Sequence, residues 1–400
     1  MRILVVCSDT GVRVGDGKGA ALHLLAITSA FAALGHDVEV VGVAANPNGP
    51  LEAWPVPCHV VDHPGRAEGE LRERRKRETV ERVVELASSV AVRLQPDVVY
   101  ERLSLFGSAG ARVAGAAGAV HVLEVNALLA AEEARWRGLV AGDLARSVED
   151  AVLQSADLRV AVSEEVARDV RTVASGPTRV VPNGFDSRLF HGDRHRGTAR
   201  AARAALGLGH DGPLLCFTGS LRPWHGLDVA VESLPLLPGS VHLLVAGDGP
   251  VRHEIASRSV ELGVSERVHW LGQVEHSTVP VVLAASDVAL APYPALTDFA
   301  FSPLKLYEYL AAGTPVVASA IGQLPEALAH GRWGRLVTPG DPASLADGIR
   351  DVLADPAAAQ ARAALARDHA HAELSWESRA SEIVRAVREL EIGAGRAVPR

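Results

Sequence analysis

Three stretches of this 400-residue chain gather residue types that handle anions and hydroxyl groups. Ser302-Pro303-Leu304-Lys305-Leu306-Tyr307-Glu308-Tyr309 reads as a helix start, with Ser302 as N-cap and Pro303 at the first helical position. Lys305 then falls in the first turn, where the helix dipole disfavours a cation unless an anion is held there. Glu308 follows at i+3, so the two side chains face one cleft or form an intrahelical ion pair. Phe217-Thr218-Gly219-Ser220-Leu221-Arg222-Pro223-Trp224-His225-Gly226 links a strand to a helix and adds Arg222 and His225. Near the start, the run Gly11 to His23 carries Gly15, Gly17, Lys18 and Gly19, follows an apolar strand and opens a helix. Its backbone N–H groups can receive an anion, or the run is a plain turn. Position 20 is Ala and no Gly-Lys-Ser/Thr occurs there, so the dinucleotide and P-loop readings lose their main support.

Such groups need a scaffold, and the apolar pattern supplies one. Runs of four to seven apolar residues alternate with helix-length amphipathic segments, the pattern of βα units and a parallel sheet. The first half predicts strands at Arg2–Cys7, Val38–Val43, Asp97–Glu101, Val120–Val125, Leu158–Val162 and Arg179–Val181. The second predicts Leu214–Thr218, His242–Ala246, Val268–Trp270, Val288–Ala291, Pro315–Ser319 and Gly334–Val337. The longest helix is expected from about Gly69 to Leu94, its mixed charges forming a solvated face. Pro182-Asn183-Gly184-Phe185-Asp186 and the polar stretch His191 to Arg203 place a boundary near 182–200. The fold class is therefore α/β: two doubly wound, Rossmann-like domains facing each other across a ligand cleft at the carboxyl ends of both sheets. The expected division is 1–185, 186–374 and a C-terminal helix over 375–400 that packs back toward the first domain, with Ser375 as its N-cap.

Composition narrows the function. A net charge of −8 gives no global attraction to phosphate polymers, and the basic run Arg72 to Arg77 is flanked and interrupted by Glu70, Glu73 and Glu78, so nucleic-acid binding is disfavoured. No stretch reaches the ~20 apolar residues of a membrane-spanning helix. The start runs straight into a strand-like sequence, which predicts a cytoplasmic protein. Cys7, Cys58 and Cys216 are too few and too scattered for a metal cluster or a disulfide framework. Only Lys18, Lys76 and Lys305 stand against 37 arginines, a composition suited to a high-GC bacterium, so each lysine points mildly to a site that wants an ammonium group.

Taken in order, the motifs resemble those of the retaining GT-B-fold glycosyltransferases of family 4. The resemblance spans nearly the whole chain: the first loop with Lys18-Gly19-Ala20 and His23, Pro182 to Asp186, Gly219 to Gly226, Ala246-Gly247-Asp248-Gly249-Pro250, Ser302 to Tyr309, and Ser375-Trp376. It implies that the second domain binds a nucleotide-sugar donor and the first an acceptor. Arg222 matches the diphosphate-binding arginine, and His225 stands where many members carry lysine. Glu308 matches the second glutamate of Glu-x7-Glu, which accepts from ribose hydroxyls. Ser302, Pro303 and Leu304 match the segment whose backbone meets the donor, joined by Ser220 and by Gly17 and Gly19 of the first loop. Lys18, His23 and Arg102 are expected on the acceptor side, and Arg222, Lys305, Glu124 and Asn126 as catalytic groups.

This chain departs from the family pattern twice. The first glutamate position of Glu-x7-Glu is Ala300, so Lys305 and Asp298 are candidates for part of its work. Asn126 takes the place of a functional histidine at the end of a first-domain strand, with Glu124 on the same face and His121 on the opposite one. Asn126 is assigned to positioning, because an amide is no base at neutral pH, and Glu124 to orienting the acceptor. Both are expected to point across the cleft toward Arg222 and Lys305.

No Asp-x-Asp pair occurs, so no metal and no cofactor are expected, the nucleotide sugar being a co-substrate. The diphosphate charge would be met by Arg222, Lys305, helix N-termini and a protonated His225. The resemblance implies sugar transfer from a nucleotide sugar, UDP favoured over GDP, to a hydroxyl of a small-molecule, lipid or glycan acceptor. The implied mechanism is front-face, with retention. A non-catalytic nucleotide-sugar binder is the alternative suggested by Ala300 and Asn126. A nicotinamide-dependent oxidoreductase is disfavoured by the missing dinucleotide fingerprint.

Overall fold

The structure, a computed structural model, describes residues 1–15, 19–44, 54–136, 138–190, 199–209, 212–297, 299 and 302–393. The chain divides into two compact units. The first takes Met1–Asn183, Ser302 and the segment from Trp376 onward, and the second takes Gly184–Phe299 and Pro303–Ser375.

In the first unit, β1 (Arg2–Val6), β2 (Arg13–Val14), β3 (Asp37–Ala44), β4 (Cys58–Val61), β5 (Val98–Arg102), β6 (Val120–Val125), β7 (Leu158–Ala161) and β8 (Thr178–Val180) form one sheet. Every pairing is parallel, in the order β2-β3-β1-β5-β6-β7-β8 with β4 also on β3. The central strands are near-continuous apolar runs because helices cover both faces. Leu4, Val6, Val41 and Val99 pack against Val80, Val83 and Ala87 of the Gly69–Leu94 helix, most of whose charged residues face outward, while Glu73 is buried and accepts from the Val140 and Ala141 backbone N–H groups. The strands β2 and β4 are additions to the sequence reading. The first is two residues long, and the second follows Pro55 and Pro57 and is only half-buried, so neither carries a long apolar run. The Trp376–Gly393 helix packs on the Gly19–Ala33 helix, where the rings of Trp376 and His23 meet edge-on at 4.6 Å.

The second unit holds β9 (Leu214–Thr218), β10 (His242–Ala246), β11 (Val268–Gly272), β12 (Val288–Ala291), β13 (Val316–Ser319) and β14 (Arg335–Val337). Their order is β11-β10-β9-β12-β13-β14, again all parallel. This doubly wound order reverses direction between β9 and β12, and ligands of such sheets bind outside the strand ends at that point. The loops that leave β9 and β10 there lie in contact. Gly247 adopts φ +155°, and a Cβ on it would sit 1.9 Å from the Gly219 carbonyl oxygen, so no larger residue fits. No helix among the described residues is long and apolar enough to cross a membrane.

Candidate functional site

The switch point of the second unit is where the anion-handling residues meet. The helix there runs Leu304–Ala312, with Pro303 as N-cap and no side chain capping it. This corrects the reading of Ser302 as the N-cap. Its hydroxyl instead accepts from the Asn183 backbone N–H at 3.0 Å, and its carbonyl from Asn183 Nδ2 at 2.6 Å. The start of the Leu304–Ala312 helix is thus a positive dipole end without the usual side-chain acceptor.

Lys305 lies in that first turn, only 7% exposed, and its Nζ has no hydrogen-bond partner among the described residues. The amine sits 3.8 Å from the centre of the Phe217 ring, on β9, and 5.7 Å from that of Tyr293, just past β12. Gly219 covers it with φ +119°; a Cβ there would lie 3.3 Å from Lys305 Cε and Nζ. Burial pushes the amine down to about 7, against the field of Glu308, which raises it. A buried cation without a counter-charge is costly, and an anion at this place would remove that cost.

Glu308 lies one turn on and does not bond Lys305. Its Oε1 accepts from His276 Nε2 at 2.7 Å. Burial alone would lower the His276 imidazole, but the bond to Glu308 and the charges of Glu308 and Asp186 raise it above its ordinary value. Tyr309, buried on the same helix, accepts from the Thr218 N–H at 3.0 Å and so ties the helix to the end of β9. Neither His276 nor Tyr309 carries a sequence signal for these contacts, because each partner comes from a distant element.

His225 departs from expectation. Its Nδ1 donates to the Ser220 carbonyl at 2.5 Å, and burial, with Lys305 and Arg222 nearby, pushes the imidazole down to about 3 against that bond. It is therefore neutral rather than protonated, with Nε2 left as an acceptor. Arg222 is exposed, its guanidinium 5.8 Å from the Trp224 ring centre.

In the first unit Glu124 is 2% exposed, and both of its oxygens are occupied. Oε2 accepts from His23 Nε2 at 2.8 Å and from the Tyr100 hydroxyl, and Oε1 from Arg102 at 2.5 Å and from the Asn126 amide. Burial favours the protonated acid, but His23 and Arg102, with the bonds from His23 and Tyr100, outweigh it and hold the carboxyl well below its ordinary range. This corrects the assignment of Glu124 as an acceptor-orienting group: four donors saturate it. His23 and Arg102, expected beside the acceptor, are buried as its partners, at 5% and 9% exposure. Asn126 remains half-buried at the strand end. His121 bonds Glu101 at 3.0 Å in the interior. Gly19 is the first residue of the Gly19–Ala33 helix, while Gly17, Lys18, Asp298 and Ala300 lie outside the described residues. Burial pushes the Cys7, Cys58 and Cys216 thiols up to about 12, so none is a ready thiolate.

Comparison with known proteins adds to this geometry. The profile of "Glycosyltransferase Family 4" matches residues 17–189 and that of "Glycosyl transferases group 1" residues 212–355. A D-inositol 3-phosphate glycosyltransferase of Mycolicibacterium vanbaalenii is 33% identical over 327 residues, 76% of this chain and 67% of that protein. A glycogen synthase of Mycobacterium tuberculosis is 30% identical over 288 residues, 69% of this chain and 65% of that protein. Among solved structures, sucrose-phosphate synthase from Thermosynechococcus elongatus superposes with a TM-score of 0.78 at 24% identity, covering 98% of this chain and 100% of that one. Anabaena HepE in complex with UDP gives 0.73 at 23% identity, covering 97% and 100%. The two parallel-sheet, Rossmann-like domains match the GT-B architecture of such structures.

Proposed function

The chain belongs to family 4 of the glycosyltransferases, and from that premise we propose how it works. A sugar moves from a nucleoside-diphosphate sugar, UDP ahead of GDP, to an acceptor hydroxyl, with retention of anomeric configuration and without a metal ion. The observation that carries this reading is Lys305: a buried amine with no hydrogen-bond partner among the described residues, in the first turn of a helix without a side-chain cap, at the switch point of the second unit. A diphosphate there supplies the missing counter-charge and meets the helix N-terminus. Glu308, one turn on, accepts from the ribose. Support for a UDP-sugar comes from Anabaena HepE, whose structures hold UDP and UDP-glucose.

As the bond from the sugar's anomeric carbon to the diphosphate oxygen breaks, negative charge gathers on that oxygen. Lys305 and the helix N-terminus oppose it from fixed positions, with Arg222 at the exposed rim, and such preorganised stabilisation is commonly the largest catalytic contribution. The acceptor oxygen attacks the same face of the oxocarbenium-like sugar, and its proton passes to the leaving phosphate oxygen. No protein nucleophile is needed; alignment of the two reactants supplies much of the rate. Glu124 works from beneath, fixing Arg102 and Asn126 at the first unit's strand ends. Among the described residues no three His, Cys, Asp or Glu side chains gather as metal ligands.

A thermal-shift series with UDP, GDP and their sugars tests this. The preferred nucleotide at ~100 times its dissociation constant adds ~2.7 kcal/mol of stability, and sugar transfer persists in EDTA. No stabilisation by any nucleoside diphosphate would overturn the donor site. A requirement for magnesium or manganese would overturn the metal-free claim.

A further inference from the structure

Glu308 has a cation at i−3 on its own helix and does not use it. Its bond goes to His276, the first residue of a 3-10 turn after β11, 32 positions away in sequence. The imidazole is held from several sides. Phe190 presents its ring edge-on at 6.5 Å between centroids, and the charged groups facing the imidazole are Glu308 and Asp186. Asp186 is in turn clasped by Arg188 at 2.7 Å. Because the partner is a carboxylate, the imidazole donates from Nε2. Glu308 Oε2 makes no hydrogen bond to the described residues.

An unrestrained Glu308 one turn from Lys305 would swing toward it, as such i,i+3 pairs do. That pairing would fill both the carboxylate and the amine. The bond to His276 keeps them apart, leaving one carboxylate oxygen open and the amine without a partner. Resting on the donor reading given above, we infer that His276 is a positioning residue for nucleotide recognition: it fixes Glu308 by Oε1 so that Oε2 stands ready for the ribose hydroxyls and Lys305 stays available to the diphosphate.

The test uses the full chain, UDP and 2′,3′-dideoxy-UDP, with affinities from calorimetry. Wild type prefers UDP over the dideoxy ligand. His276→Ala weakens UDP binding on the order of 10-fold, the size of a disturbed charge-assisted bond, and weakens the dideoxy ligand by a distinctly smaller factor, because that ligand shares only the loss at Lys305 and not the loss at the ribose hydroxyls. His276→Gln, whose amide can still donate to Glu308, recovers most of the UDP affinity. Equal loss for both ligands would make His276 a packing residue, and no loss for UDP would make it a bystander; either overturns the inference alone. Failure of wild type to bind UDP or GDP would instead overturn the donor reading on which it rests.

Discussion

Glu124 and Lys305 are both ionisable groups in the interior of a parallel α/β unit, and their surroundings are opposites. Glu124 receives four donors from His23, Tyr100, Arg102 and Asn126. Lys305 bonds none of the described residues, and lies over the rings of Phe217 and Tyr293. A saturated buried charge is committed to its own fold, because every lone pair is used and removing any partner strands another. An unpartnered one is a cost to the fold that only a ligand relieves. The contrast teaches that burial and charge alone do not mark a site; the count of unused bonds does.

The first way to break this comparison is Glu124→Gln. The near-isosteric amide leaves Arg102 buried without a full counter-charge, so stability falls by roughly 3–5 kcal/mol, measured by urea unfolding, while UDP affinity is unchanged. A variant of wild-type stability whose transfer rate alone collapses would return Glu124 to the acceptor.

Lys305→Met is expected to behave in the opposite manner. It removes a desolvated amine and fills the same space, so the second unit is at least as stable as before. Turnover drops ~10²–10³-fold, the usual size for losing one donor to a developing negative charge. A strongly destabilised variant that still turns over would show that the amine serves the fold.

Smaller, and separated in pH, are the titration effects, which both raise stability as pH rises but in different windows. Glu124 has a depressed value in the folded state, so its contribution is complete above the ordinary value of 4.5 and is lost as pH falls below it. Lys305 is neutral in the fold above about 7 but stays protonated in the unfolded chain up to 10.5, so stability is gained as pH rises through that window. Urea midpoints of wild type against each variant from acid to alkaline pH check both slopes. A Glu124-dependent slope at alkaline pH, or a Lys305-dependent slope confined to acid, would break the comparison.

The sequence makes the scaffold legible and the Lys305 site half legible, for physical reasons. Strands buried on both faces, such as Val120–Val125 and Leu214–Thr218, need continuous apolar runs and therefore announce themselves. A short, half-exposed strand such as Cys58–Val61 has no such need and stays hidden. Lys305 is conspicuous because a cation in the first turn of a helix opposes the dipole. Ser302 misleads because its hydroxyl is claimed by Asn183, 119 residues away. The same holds for His276 on Glu308 and for the four donors on Glu124. Each is a long-range bond, and a one-dimensional pattern carries spacing but not the partner across the sheet.

That Lys305 awaits the diphosphate as its counter-charge is tested most directly by the protons taken up when UDP binds above about pH 7, where burial leaves the amine mostly neutral. Calorimetry at about pH 8.5 in buffers of different ionisation enthalpy reads that number. Wild type is expected to take up close to one proton per UDP, because the arriving anion raises a mostly neutral amine back into its charged form. Lys305→Met should bind more weakly and take up none. Tight UDP binding without proton uptake, or the same uptake in Lys305→Met, would contradict the account.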